Sequence, residues 1–291
     1  MNLGNKSQFI PQISNANMPL YNSPVSQNVK YLFIDGGCLD SLLELFSENL
    51  FDKKQLEIDY YRLASGYHKV FYYDCLPAQK QGENEVDYQN RIKPKIKLFN
   101  HLKSLDRFHV YEGTARFRDK RRGQEQKEVD IMIAVDMLRH SFRKNMDEAT
   151  LLTSDLDFKP LIDALVQDGM YVSLWYPKAK TNYELVDAAD SRQVLTIHTV
   201  WGWFTDSFQK QVNLPVLSQP NFPDINNFWT QINNIKQADY EIIFYEQEEK
   251  HAAVLKTING DYQLYQHNNL EQLKFYIAHI YSPDVIRKDI I

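Results

Sequence analysis

Four aspartates stand where an α/β chain would present them for chemistry. Asp35 ends the apolar run YLFID, Asp155 and Asp157 follow the apolar run ATLLTS within TSDLDF, and Asp130 opens the stretch KEVDIMIAVDM. Two carboxylates about 5 Å apart repel by roughly 3 kcal/mol at an effective dielectric of 20, and each further one adds to that cost. Such a group must either take up protons or hold a cation. Oxygen ligands without His or Cys suit a hard ion, Mg2+ or Mn2+, rather than zinc. An ion of that kind keeps several waters and clamps a phosphate, which makes phosphodiester hydrolysis the natural chemistry. Asp35, Asp130 and Asp155 are the expected metal ligands; Asp157 is the fourth catalytic carboxylate and could orient the attacking water. If the backbone stays extended after Ser154, positions 155 and 157 point to the same side; otherwise Asp157 is a cap for the helix that follows.

Residues so distant in sequence converge only if a sheet brings them together. Tyr31–Asp35, Lys69–Asp74, Phe108–Gly113, Ala149–Ser154 and Tyr171–Tyr176 are short, continuously apolar runs. Between them lie helix-spaced segments: Leu39–Phe51, Tyr88–Leu105 (bent or started at Pro94), Glu128–Arg143, Phe158–Gln167 and Asn182–Ala189. Strands alternating with helices and buried on both faces predict a five-stranded, mainly parallel, Rossmann-like α/β sheet. Ligands of such sheets gather outside the carboxyl ends of the strands, where Asp35 and Asp155 fall. Asp130, in a first helical turn, gains from the helix N-terminus.

Three regions are expected along the chain. Residues 1–29, rich in Asn, Ser, Gln and Pro, read as a disordered or loosely attached extension, and 30–200 as the α/β domain. Residues 201–291 read as a small α+β unit without a catalytic constellation, through which self-association is possible: a helix at Ile225–Lys236, strands around EIIFYE, AAVLKTI and YQLYQ with a turn at Asn259-Gly260, and a closing helix Leu270–Ile280. The chain shows no apolar run of membrane-spanning length and no signal-peptide pattern, and its two cysteines suit a reducing compartment, so a cytoplasmic protein is expected.

A net charge of −5 is unpromising for a protein that handles nucleic acid, but the average hides two basic stretches, Arg91–Arg107 and Ala115–Lys127. The plain reading of either is a solvated face. Flanking an acidic cluster, they read instead as a surface that tracks phosphates, with Lys93, Lys97, Arg116, Arg118, Lys120, Arg121, Arg122 and Lys127 as its cations. Asp136, six residues beyond Asp130, points about 120° away on a helix and reads as a supporting residue or salt-bridge partner; Asp74 has the same standing. Ser154, with no His nearby in sequence, reads as a positioning hydroxyl.

The ordered segments FIDGGCL, KEVDIMIAVDM and LLTSDLDFKPLIDALVQDGMYV, closed by AADSRQVLTI, resemble the NYN family of PIN-like nucleases over residues 30–200. The resemblance implies a PIN fold and Mg2+- or Mn2+-dependent cleavage, usually of RNA. It places Asp35, Asp130, Asp155 and Asp157 at the family's acidic positions and Asp136 at an acidic position of the helix motif. One departure stands out: the first motif commonly reads Asp-Gly-x-Asn, and here the last position is Cys38, whose thiol cannot supply an amide's donor and acceptor. Cys38 and Cys75 read as two buried, unrelated thiols, with a redox-sensitive pair as the alternative. Two rival functions remain: a non-catalytic nucleic-acid-binding module, which Cys38 favours, and a phosphotransfer or receiver-type domain, for which Lys159 is the nearest lysine in sequence.

Overall fold

The computed structural model describes residues 28–114, 116–117, 124–125, 127–218, 225, 228–236 and 239–281. The expected extension therefore lies, but for Asn28 and Val29, outside the described residues. From Lys30 the chain alternates as expected: β1 (Lys30–Asp35), α1 (Gly36–Leu50), α2 (Tyr60–Leu63), β2 (Lys69–Leu76), α3 (Glu85–Lys103) and β3 (Phe108–Thr114). A two-residue hairpin, β4 (Arg116–Phe117) with β5 (Gln124–Glu125), precedes α4 (Lys127–Phe142). Then come β6 (Glu148–Leu152), α5 (Lys159–Gln167), β7 (Tyr171–Tyr176), α6 (Tyr183–Ala188), β8 (Ser191–Val194), α7 (Ile197–Trp201) and α8 (Asp206–Gln209).

The α/β sheet has six strands, not the expected five, in the order β3-β2-β1-β6-β7-β8, and each pairing is parallel. The added strand, β8, is SRQV, a polar edge strand buried on neither face, so it carries none of the apolar signal of its neighbours. Strand order reverses between β1 and β6. That reversal opens a crevice at their carboxyl ends, the usual ligand position of an open α/β sheet. α3 begins at Glu85, where Asn84 accepts the Asp87 N–H at 2.8 Å, and Pro94 is carried inside it.

One face of the sheet is covered by α4, α5 and α6, around Phe33, Ile133, Met137, Leu151 and Leu165. The other packs on α1 and α3 around Leu32, Ile34, Leu39, Phe46 and Phe99. Side chains such as Leu39 and Phe46, wholly buried, each stabilise the fold by about 1.5–3 kcal/mol.

The C-terminal part is an antiparallel sheet of β9 (Val216–Ser218), β10 (Thr230–Lys236), β11 (Tyr240–Gln247), β12 (Lys250–Thr257) and β13 (Tyr262–His267), with α9 (Leu270–Tyr281) on one face. The helix expected at Ile225–Lys236 is thus corrected: Thr230–Lys236 is an edge strand paired with β11. Hairpin pairing with β11 overrides a local pattern that Asn233 and Asn234 leave weak. The turn at Asn259-Gly260 stands, with Gly260 at φ +86°. No helix among the described residues is long and apolar enough to cross a membrane.

Candidate active site

Asp35 is the last residue of β1 and the N-cap of α1. Its Oδ1 accepts the Cys38 N–H at 3.1 Å and its Oδ2 accepts the Thr153 hydroxyl at 2.9 Å. One oxygen is therefore fixed by its own helix and the other by the segment after β6, across the crevice. Thr153 is fully buried, and its Oγ1 also accepts the Asp155 N–H at 3.2 Å, so one hydroxyl orients both acids. Sequence reasoning missed Thr153; its only signal was its place between an apolar strand and two aspartates.

The backbone does not stay extended after Ser154. Leu156–Phe158 forms a short 3₁₀ turn, capped by Asp155, whose Oδ1 accepts the Asp157 N–H at 2.9 Å. The expectation that residues 155 and 157 share a side by strand alternation is therefore corrected. Nor is Asp157 the cap of α5, which starts at Lys159 without a side-chain cap. Asp157 is exposed on the 3₁₀ turn.

Asp130 lies in the first turn of α4, partly buried. Burial, and then the charges of Asp35, Asp155 and Asp157, push its carboxyl up to about 6. Burial also raises Asp35, against the lowering by the Cys38 N–H and the Thr153 hydroxyl; the charges of Asp74 and Asp155 raise it further. The four predicted carboxylates thus act within one field, although among the described residues no three His, Cys, Asp or Glu side chains close into a group that could hold a metal ion.

A cleft of about 420 Å3 opens beside Asp35 and Asp155. Ser41, Ser154 and Lys180 add polar groups to its wall; Leu42, Leu45 and Pro177 supply an apolar side. Lys180, exposed after β7, is a cation that sequence reasoning did not single out. Cys38 also lines the cleft, its thiol 3.5 Å from the Ser154 hydroxyl and pushed up to about 12, by burial first and then by the Asp35 charge. Cys38 and Cys75 are both buried, and neither is in a disulfide.

Other predicted residues lie elsewhere. Asp136 accepts the Tyr73 hydroxyl at 2.9 Å, tying α4 to β2 rather than supporting an acid. Lys159 pairs with Asp163 at 2.7 Å on its own helix. Lys93 and Lys97 are exposed on α3 beside a second groove, of about 760 Å3, whose lining includes Asp40, Glu44 and Glu57. Arg118, Lys120, Arg121 and Arg122 lie outside the described residues, as do the side chains of Arg116 and Lys127. Asp74, two residues before the end of β2, is 2% exposed. Its Oδ1 accepts the Cys75 N–H at 2.7 Å, its Oδ2 accepts the Tyr72 hydroxyl at 3.1 Å, and Lys95 of α3 pairs with both Asp74 and Asp40.

Residues 56–196 match the family model of the NYN domain, a span holding Asp130, Asp155 and Asp157 but starting after β1 and Asp35. Among solved structures, a protein of unknown function from Vibrio parahaemolyticus is similar at 16% identity and a TM-score of 0.40, over 62% of this chain and 98% of that one. No curated protein matches. The parallel sheet and its crevice suit that match: residues 56–196 resemble the NYN domain, a domain of PIN-like nucleases.

Proposed function

We propose that this chain is a metal-dependent ribonuclease that hydrolyses phosphodiester bonds, with Mg2+ or Mn2+ held by Asp35, Asp130 and Asp155. The observation that carries the reading is the shared field at Asp130, where carboxylates from the end of β1, the start of α4 and the turn after β6 act on one another. The donor set is all oxygen, as a hard ion prefers, and each carboxylate keeps acceptor capacity beyond the bonds described above; binding would have to draw the three into a closer group than they form in this structure. When bound, the ion supplies positive charge against the negative charge that develops on the phosphodiester. Asp157 accepts a hydrogen bond from the attacking water and orients it. Ser154 and Ser41 donate to phosphate oxygens, Lys180 holds the backbone at the cleft, and the Arg- and Lys-rich stretch 115–127 draws the polyanion in.

A second reading, a nucleic-acid-binding module without catalysis, draws support from Cys38, a buried thiol where the resemblance leads one to expect an amide. Incubation of the purified chain with labelled single- and double-stranded RNA and DNA, in Mg2+, Mn2+ or EDTA, separates the two. Cleavage should need the metal and fall by at least about 10²-fold in Asp35→Asn and Asp155→Asn. Binding without cleavage would establish the second reading, and near-normal turnover in either variant would sink the first.

A further inference from the structure

Asp74 and Lys95 have no part in the hydrolysis as proposed, yet they form a buried charge pair beside its acids. A carboxylate is kept at such a place only when it is both paired and hydrogen-bonded, and Asp74 is both. Its neighbour explains the position. A Cβ placed on Gly36 would come within 2.7 Å of Cβ and Cγ of Asp74, closer than real side chains approach. The first turn of α1 therefore rests directly on this carboxylate, and glycine is what lets it do so. Lys95 also pairs with Asp40, one helical turn beyond Gly36. α1 is thus held at positions 36 and 40, and between them lies Cys38, whose N–H fixes Oδ1 of Asp35.

We propose that Lys95 is a positioning residue for Asp35: by fixing Asp74 under Gly36 and Asp40 one turn further on, it sets the first turn of α1 and through it the direction of the Asp35 carboxylate. The inference rests on the reading of Asp35 as a metal-site carboxylate. Lys95 itself touches neither substrate nor ion in this scheme. A merely structural pair would serve only to avoid a lone buried charge, and removing both charges would then restore everything.

The test uses the full chain with Lys95→Met and with Lys95→Met/Asp74→Asn, the second guarding against a variant that fails to fold around an unpaired Asp74. Hydrogen exchange is followed in peptides covering 34–42 and, as an internal reference, α4; kcat and KM are measured on labelled single-stranded RNA with Mn2+. In both variants the first turn of α1 should exchange at least about tenfold faster while α4 keeps its protection. kcat should fall by about 10²-fold with KM nearly unchanged. The double variant should regain thermal stability without regaining kcat. Wild-type kcat in the double variant, or unchanged exchange over 34–42 in the double variant, overturns the proposal. If the wild-type chain cleaves nothing, the nuclease reading falls by itself, and the exchange data still decide whether Lys95 holds this turn.

Discussion

Replacing Asp130 by Asn takes one charge out of a crowded field, and the metal-free protein should become more stable for it. Folding raises the Asp130 carboxyl from 3.8 to about 6, through burial and then through Asp35, Asp155 and Asp157. A carboxyl raised in this way stabilises the native state fully below 3.8, and that contribution disappears as pH climbs through 6. Above 6 the ionised group opposes folding. At full strength the two values correspond to about 3 kcal/mol. The side chain is partly open to solvent, so screening leaves about 1–2 kcal/mol. The helix N-terminus favours an anion here by less than about 1 kcal/mol, too little to reverse the sign. Melting followed in EDTA at pH 3.5 and 7.5 should therefore show Asp130→Asn raising Tm by about 3–6 °C at the higher pH and hardly at all at the lower. A lower Tm at pH 7.5, or an equal gain at both, would refute the idea that these carboxylates share one field.

Thr153→Val keeps the shape but removes the hydroxyl that Asp35 and Asp155 share; melting should show a loss of about 1–3 kcal/mol, and cleavage rate should drop at least about tenfold. Because the Cys38 thiol lies near 12, native protein at pH 7.5 should react with iodoacetamide at least about 10²-fold more slowly than unfolded protein, and dithiothreitol should leave cleavage unchanged. Cys38→Asn should keep the fold and preserve or increase the initial cleavage rate; a large loss under reducing conditions would show that the thiol has its own role. Neutralising Arg121, Arg122 and Lys127 together should weaken binding to all sequences alike and flatten the slope of log K against log salt by about 2–3, measured by salt titration of a fluorescent oligonucleotide.

The strands that position the site were legible because each is a continuous apolar run; β8 escaped because SRQV is polar and lies at an edge. Asp35, Asp130 and Asp155 could be picked out because each stands at a strand end or a helix start, where an α/β topology must expose it. Thr153 and Asp35 are 118 residues apart, and nothing local in either segment announces their hydrogen bond. The same holds for Lys95, which reads in sequence as one cation of a basic run and in space as the partner of a buried acid. Asp157 was misjudged for a different reason: the Asp155 side chain captures the Asp157 N–H and curls the chain into a turn, a local competition that strand alternation ignores.

All four acids precede Val200, yet the core that supports them does not end there. Phe51 is closed in by the rings of Trp201, Phe204 and Phe208, Phe46 meets His279 edge-on, and Gln272 of α9 donates to Asp52 just past the end of α1. A fragment trimmed to residues 30–200 would keep every carboxylate and lose the far wall of the helix that carries the first one. The residues beyond 200 are thus a foundation rather than an appendage. Protease nicking or heat that loosens the C-terminal sheet would reach Asp35 from behind, through α9 and α1, without touching the cleft.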